Sequence, residues 1–107
     1  MCIFCKIINK EIPSQPVYED DKVIVLPDIN PQAPVHWLVI PKKHTPNLSE
    51  AGQAQALACI ETIQKLLKEK GIGEYRTVVN TGVKAGQTVQ HLHFHILAGR
   101  ELGWPPG

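Results

Sequence analysis

The chain has 107 residues, of which 43% are hydrophobic and 20% charged, and its formal net charge is +1. This length suits one domain, and the composition excludes extensive disorder. The lysines are scattered, which argues against a nucleic-acid partner, and no apolar run approaches the roughly 20 residues that a membrane helix needs. The N-terminal residues lack the apolar region of a secretory signal. We therefore expect one cytoplasmic domain over residues 1–107, with neither nucleic acid nor membrane as a partner.

The first part of the chain predicts a short helix and three strands. Apolar residues recur at helical spacing before Pro13, which is expected to end the helix; they are Ile3, Phe4, Ile7 and Ile8. Residues 17–28 predict a hairpin that turns at the acidic residues 19–21. The apolar residues 36–40 predict a buried strand that Pro41 closes.

The second part predicts one long helix and two further strands. Ser49 is a suitable N-cap, and apolar residues then mark one helix face, namely Ala56, Ile60, Ile63 and Leu67. Residues 75–79 and 89–97 predict strands, with a glycine-containing loop between them. This order predicts an α+β domain, in which an antiparallel sheet of about five strands is covered on one face by the long helix and the short N-terminal helix.

Three histidines alternate with apolar residues in the last predicted strand. In an extended strand, His91, His93 and His95 would share one face at steps of roughly 6.6 Å. Three imidazoles are costly to bury without partners, so this face should border a cleft, a metal ion or a phosphate-rich ligand. Metal binding is a serious alternative, because imidazoles two residues apart on a strand can converge on one zinc ion.

The loop before that strand favours a ligand that carries phosphate. Asn80, Gln87 and Thr88 supply amide and hydroxyl donors, and Gly82 and Gly86 let backbone N–H groups approach an anion. Neutral donors beside histidines suit a phosphate monoester or diester of modest charge. The alternative for each glycine is a role in the turn alone.

The sequence from Gln87 to Leu97 matches the signature His-φ-His-φ-His-φ-φ of the histidine-triad superfamily, in which φ is an apolar residue. Residues 28–34, 38–44, 78–80 and 104–107 resemble the Hint branch, the histidine-triad nucleotide-binding proteins. The resemblance covers nearly the whole chain. It implies a HIT-like fold for the single domain, with the sheets of two subunits joined across a homodimer.

The resemblance also implies a reaction and its catalytic residues. His93 would attack the α-phosphorus of a nucleotide and carry a transient nucleotidyl group, while the carbonyl of His91 would orient it. His95 would hold phosphate oxygens, and His36 would be a fourth histidine behind the triad. The implied enzyme is an adenosine 5′-monophosphoramidase-like hydrolase, which cleaves the P–N bond of AMP conjugates and needs no cofactor for catalysis.

A purine nucleotide pocket follows from the same resemblance. Asp28 would bind the ribose hydroxyls, since a carboxylate can accept from both, and Gln87 and Thr88 would contact the phosphate. Apolar residues would form the slot for the base, with a plain core position as the alternative for each of them. The expected nucleotide-binding residues are Ile3, Phe4, Ile7, Leu26, Asp28, Ile29, Asn80, Gly86, Gln87, Thr88, His93, His95 and Trp104.

Cys2 and Cys5 have the spacing of half a tetrahedral zinc site. The resemblance to bacterial histidine-triad proteins would complete this site with His44 and His91 as metal ligands, and the zinc would be structural. A pair of free thiols is the alternative. An odd total of three cysteines argues against a disulfide framework.

Trp104 lies among prolines and glycines in a tail with no predicted helix or strand to bury it. Its apolar surface is expected to find cover on a partner subunit, as the resemblance to dimeric Hint proteins also implies. The alternative is that Trp104 covers the core of its own subunit.

Two other kinds of function remain open from the sequence. The same pocket could serve a non-catalytic purine nucleotide-binding regulator, although a histidine at position 93 favours turnover. A metal-binding module would use the cysteines and the triad, but it leaves Asp28, Gln87 and Thr88 without a role. Within the superfamily, a dinucleoside polyphosphate hydrolase is the alternative enzyme.

Overall fold

The computed structural model describes residues 2–107, in which five antiparallel strands form one sheet between two helices. The strands run in the order β1-β2-β3-β5-β4 across the sheet. This arrangement confirms the predicted α+β fold with five strands, one long helix and one short helix. The elements are α1 (Ile3–Ile8), β1 (Tyr18–Glu19), β2 (Val23–Pro27), β3 (Val35–Pro41), α2 (Gln53–Glu69), β4 (Arg76–Val78), a 3-10 turn (Val83–Ala85) and β5 (Phe94–Ala98).

The two helices lie on opposite faces of the sheet, so the expectation that both cover one face is wrong. Val23, Val25 and Val39 belong to the core cluster that includes residues of α2. The intervening residues of β2 and β3 pack instead with Phe4 of α1. The reason is that β2 and most of β3 are apolar at consecutive positions, so both faces of these central strands need cover.

The long helix begins at Gln53, and its N-cap is Gly52 and not Ser49 as predicted. The N–H of Gly52 donates to Oε1 of Gln55 at 3.1 Å. The side chain of Asn47 instead accepts from the backbone N–H of Glu50 at 3.1 Å, which holds the preceding residues in a separate turn. The buried face is also rotated from the predicted one, since Ile60 is 43% exposed while Cys59 and Leu66 are buried.

The last strand begins only at Phe94, so the prediction that one strand carries all three histidines is wrong. Residues 89–93 approach the sheet as irregular chain. The N–H of Leu92 donates to the carbonyl of Thr45 at 2.8 Å, and this bond ties the histidine segment to the chain after β3. Only His95 lies in β5, where it pairs with Leu38 of β3.

The first helix ends at Ile8, earlier than the predicted stop at Pro13. Lys10 follows with a φ of 64°, and this left-handed conformation turns the chain out of the helix. None of the helices within residues 2–107 is long and apolar enough to cross a membrane.

Candidate active site

A cleft of about 300 Å³ lies between α1, the end of β2 and the histidine segment. It contains nine of the residues expected to bind a nucleotide, namely Ile3, Phe4, Ile7, Leu26, Asp28, Ile29, Thr88, His93 and His95. Pro27, Leu38 and Val89 also line it and were not predicted from the sequence. Side chains alternate along a strand, so Leu38 shares a face with His36, and this alternation could have revealed Leu38 as part of the cleft wall.

His93 is held with one ring nitrogen bonded to the backbone. Its Nδ1 lies 2.7 Å from the carbonyl oxygen of His91. Because a carbonyl can only accept, Nδ1 carries the ring proton and Nε2 carries the lone pair. The ring of Phe4 meets the imidazole edge-on at 5.2 Å between centroids, which restricts its rotation. His93 thus has the tautomer that a nucleophile needs.

Nδ1 of His95 meets another side chain, whereas Nδ1 of His93 meets the backbone. Nδ1 of His95 lies 2.9 Å from Nε2 of His36. The backbone N–H of Gln32 donates to Nδ1 of His36 at 3.0 Å, so the proton of His36 must be on Nε2. His36 therefore donates to His95, whose own proton is left on Nε2, and His95 lines the cleft as an N–H donor.

His95 is uncharged at neutral pH. Burial is the largest cause that lowers the pKa of His95, to about 4, and positive charge on His93 or His36 would lower it further. The carboxylate of Asp28 opposes this shift only in part. A phosphate oxygen in the cleft would accordingly meet a neutral hydrogen-bond donor at this position.

Asp28 lies at the start of the loop between β2 and β3 and also lines the cleft. Its Oδ1 accepts from the N–H of Asn30 at 2.8 Å, and its Oδ2 lies 3.3 Å from Nε2 of His36. The carboxylate is partly exposed and retains lone pairs for further donors such as hydroxyl groups.

A second cluster brings together the side chains of Cys2, Cys5, His44 and His91. The six distances between their Sγ and Nδ1 atoms run from 3.1 Å, between the two histidines, to 3.8 Å, between Cys2 and His44. Tetrahedral coordination by two thiolates and two imidazoles gives edges of about 3.3 to 3.8 Å. This cluster could therefore hold a metal ion.

The protonation of this cluster suits a cation. Nε2 of His91 donates to the carbonyl of Pro41 at 2.8 Å, so its Nδ1 keeps a lone pair facing the two sulfurs. Burial is the first cause that raises the pKa of the Cys5 thiol, and the neighbouring Cys2 raises it further. A cation between the two sulfurs would remove that penalty and leave both as thiolates.

Asp28, His36 and His95 also lie close enough together to share a metal ion. The proton positions argue against that use. A metal-binding histidine normally donates its other ring N–H to an acceptor, whereas Nδ1 of His36 accepts an N–H and leaves the proton on the nitrogen that faces Asp28 and His95.

Four residues expected to bind nucleotide do not line the cleft: Asn80, Gly86, Gln87 and Trp104. Gln87 is only 2% exposed, and its side chain accepts from Gly82 N–H at 2.9 Å and donates to the carbonyls of Pro46 and Val89. Gln87 thus fastens the glycine-containing loop from inside. Trp104 is 84% exposed.

The profile of the HIT domain matches residues 9–102. The chain belongs to the HIT family. An uncharacterized HIT-like protein of Synechococcus elongatus is 53% identical over 98% of this chain and 96% of the relative. The crystal structure of a HIT family hydrolase from Legionella pneumophila has a TM-score of 0.92 and 42% identity, over 100% of both chains. A HIT family hydrolase from Clostridium thermocellum has a TM-score of 0.88 and 46% identity, over 95% of this chain and 93% of that one.

These relatives and the cleft together support a nucleotide hydrolase or nucleotide-binding role for this HIT protein. Two of the solved relatives are hydrolases, and their structures superimpose on nearly the full chain. The histidines therefore lie in a fold that is shared with hydrolases.

The position of Gln87 predicts a loss of stability when its side chain is replaced by leucine. Gln87→Leu leaves the N–H of Gly82 and the carbonyls of Pro46 and Val89 without their partner. Each buried polar group left unpaired costs about 1 to 3 kcal/mol. We therefore expect the free energy of unfolding to fall by about 3 kcal/mol, as measured by urea unfolding in the absence of nucleotide.

The control for this substitution is Asn80→Ala. Its amide makes one long, exposed contact of 3.5 Å with the carbonyl of Gly86, and we expect a change within about 0.5 kcal/mol. Equal stability of wild type and Gln87→Leu would contradict the role of Gln87 as a loop fastener.

Proposed function

We propose that this protein is a purine nucleotide hydrolase that cleaves the P–N bond of adenosine 5′-monophosphoramidate and related AMP conjugates. The observation that carries the proposal is the bond of 2.7 Å from Nδ1 of His93 to the carbonyl of His91, which leaves Nε2 as a nucleophile in the cleft. A non-catalytic nucleotide-binding protein would have no need for this tautomer.

The reaction would proceed in two displacements at phosphorus. In the first, the lone pair of His93 Nε2 forms a bond to the α-phosphorus, and the P–N bond breaks as the amine takes a proton from water. The nucleotidyl group then rests on an imidazole whose positive charge is stabilised by the carbonyl of His91. In the second, water attacks the phosphorus, the bond to Nε2 breaks, and AMP leaves with a proton released to solvent.

The cleft offers separate contacts for the three parts of such a substrate. His95 Nε2–H and the hydroxyl of Thr88 would donate to phosphate oxygens, and Asp28 would accept from the ribose hydroxyls. The side chains of Ile3 and Ile29 are 51% and 101% exposed at the rim. Apolar side chains left in water beside a cleft favour a flat apolar ligand such as a purine.

We also propose that Cys2, Cys5, His44 and His91 bind a structural zinc ion. Two thiolates and two imidazoles are a donor set that zinc prefers, and the six distances, from 3.1 to 3.8 Å, lie close to the edges of such a tetrahedron. The zinc would hold α1 against the histidine segment, because Cys2 and Cys5 belong to the N-terminal helix and its cap while His91 lies 86 residues from Cys5. It would take no part in the displacements, for which no cofactor is required.

A homodimer would complete the molecule. β4 forms the outer strand of the sheet, so one of its edges is open for a partner strand. Apolar side chains of α2 and of the residue before β4 are exposed, with Leu57 at 54% and Tyr75 at 39%. Trp104 at 84% exposure also lacks cover within its own subunit. These features suit a two-fold interface formed by α2, β4 and the C-terminal tail.

The nucleophile is tested by replacing His93 with glycine. We expect wild type to release AMP from adenosine 5′-monophosphoramidate and to gain the mass of one AMP on His93 in quenched reactions. His93→Gly should lose at least about 1,000-fold in kcat, since a covalent route without its nucleophile retains little rate. AMP binding by calorimetry controls for the pocket, which His93→Gly should leave intact.

Two results would overturn the proposed reaction. One is release of AMP by His93→Gly at the wild-type rate. The other is tight AMP binding by wild type without turnover of any nucleoside phosphoramidate, which would favour a regulator.

The zinc site is tested by metal analysis of protein produced without added metal. We expect about one zinc per chain in wild type and a large loss in Cys5→Ser, because three ligands hold the ion less tightly than four. Cys59→Ala is the matched control, since Cys59 is buried in the core between the sheet and α2 and is not part of the cluster of Cys2, Cys5, His44 and His91. Wild type without zinc, with Cys2 and Cys5 both titrating as free thiols, would refute the site.

The dimer is tested by sedimentation at micromolar concentration. We expect the mass of two chains for wild type and a shift toward one chain in Trp104→Ala, because the indole supplies a large apolar contact. A wild-type protein that sediments only as a monomer would disprove the homodimer.

A further inference from the structure

A backbone N–H outside the triad, that of Gln32, meets the ring of His36. We propose that the backbone N–H of Gln32 fixes the tautomer of His36 and, through His36, that of His95, so that His95 presents an N–H to the phosphate. Gln32 is in this sense a positioning residue. The part of the proposal that concerns phosphate rests on the proposed function, whereas the tautomers themselves do not.

The first step is the bond to His36. A backbone N–H can only donate, and that of Gln32 lies 3.0 Å from Nδ1 of His36. Nδ1 must therefore carry a lone pair, and the single proton of the neutral ring is on Nε2. Because His36 is 7% exposed, water has little access to compete for this arrangement.

In the second step, the N–H of His36 fixes the tautomer of His95. Nε2 of His36 lies 2.9 Å from Nδ1 of His95, so the N–H of His36 makes that nitrogen an acceptor. Oδ2 of Asp28 lies 3.3 Å from the same Nε2 of His36, where it also favours a proton on that nitrogen, but at 4.0 Å from Nδ1 of His95 it is too far to accept a proton from His95. The proton of His95 is consequently on Nε2.

Gln32 itself is held through its backbone, because Nε of Arg100 donates to the carbonyl of Gln32 at 2.9 Å. The loop also approaches the end of β5 closely. Gly99, at a φ of 96°, is so near Pro34 that an added Cβ would lie 2.9 Å from its ring. These contacts keep the N–H directed at His36.

The opposite proton arrangement would damage the site. If His36 carried its proton on Nδ1, its Nε2 would accept from Nδ1 of His95. His95 would then turn a bare lone pair toward the phosphate oxygens, and a favourable contact would become a repulsive one. A single N–H therefore decides the sign of the interaction between His95 and phosphate.

The experiment removes this N–H from the full-length protein without changing the chain otherwise. An α-hydroxy acid at position 32 replaces the amide N–H with an ester oxygen, and Gln32→Ala, which retains the N–H, is the matched control. Gln32→Pro removes the same N–H genetically and serves as a second variant. Ring ¹⁵N chemical shifts of His36 and His95 report which nitrogen is protonated, and circular dichroism checks the fold.

We expect Nε2–H tautomers for both histidines in wild type and in Gln32→Ala, and a shift of both toward Nδ1–H or a mixture in the ester. kcat for adenosine 5′-monophosphoramidate should fall by about 10-fold or more in the ester, given that losing a donor to a reacting oxyanion costs about 100- to 1,000-fold. Gln32→Ala should remain close to wild type.

Unchanged tautomers in the folded ester, or an Nδ1–H tautomer of His36 in wild type, would overturn the positioning role of Gln32 while leaving the hydrolase intact. If both tautomers shift in the ester but wild type hydrolyses no phosphoramidate, the proposed reaction fails and the control of the tautomers by Gln32 stands.

Discussion

The hydrogen bond from His93 Nδ1 to the carbonyl of His91 is the constraint on which the candidate site depends. It fixes the ring proton of His93, and it makes the position of His93 depend on that of His91. His91 is fully buried, and its Nε2 is tied to the carbonyl of Pro41. Its Nδ1 faces the cysteines. One residue thus connects the candidate metal cluster to the candidate nucleophile through its own backbone.

The two histidine clusters differ because different backbone groups meet their rings. A carbonyl accepts from His91 and leaves a lone pair for a metal ion, whereas an N–H donates to His36 and leaves a proton on the nitrogen facing His95. Imidazoles that look equivalent in composition are therefore suited to different tasks. Burial adds to this distinction by keeping His95 uncharged at neutral pH.

The chain that follows β3 holds both the histidine segment and the loop before it. Thr45 accepts from the N–H of Leu92, and Pro46 accepts from the side chain of Gln87. His44, in the same stretch, belongs to the cysteine cluster. A displacement of this short stretch would accordingly disturb the metal cluster, the glycine-containing loop and the approach to β5 together.

The sequence by itself determined the strand and helix content, the family, and nine of the residues that line the cleft. These follow from local periodicity and from short motifs, such as the alternating histidines and the cysteines at positions 2 and 5. The start of the long helix was missed because Asn47 competes locally for the N–H of Glu50. The side of the sheet that α1 covers was missed because β2 and most of β3 are apolar on both faces.

Only the tertiary structure decided which nitrogen of His36, His91 and His95 carries a proton and whether Gln87 faces the cleft or the interior. For His91 and His95 the partners are distant in sequence, 50 residues away for His91 and Pro41 and 59 for His95 and His36. For His36 the partner is the nearby N–H of Gln32, and only the path of the loop brings the two together. A pattern of residue types records which side chains can donate or accept. It does not record which group lies within 3 Å of them, and in this site that neighbour fixes the chemistry.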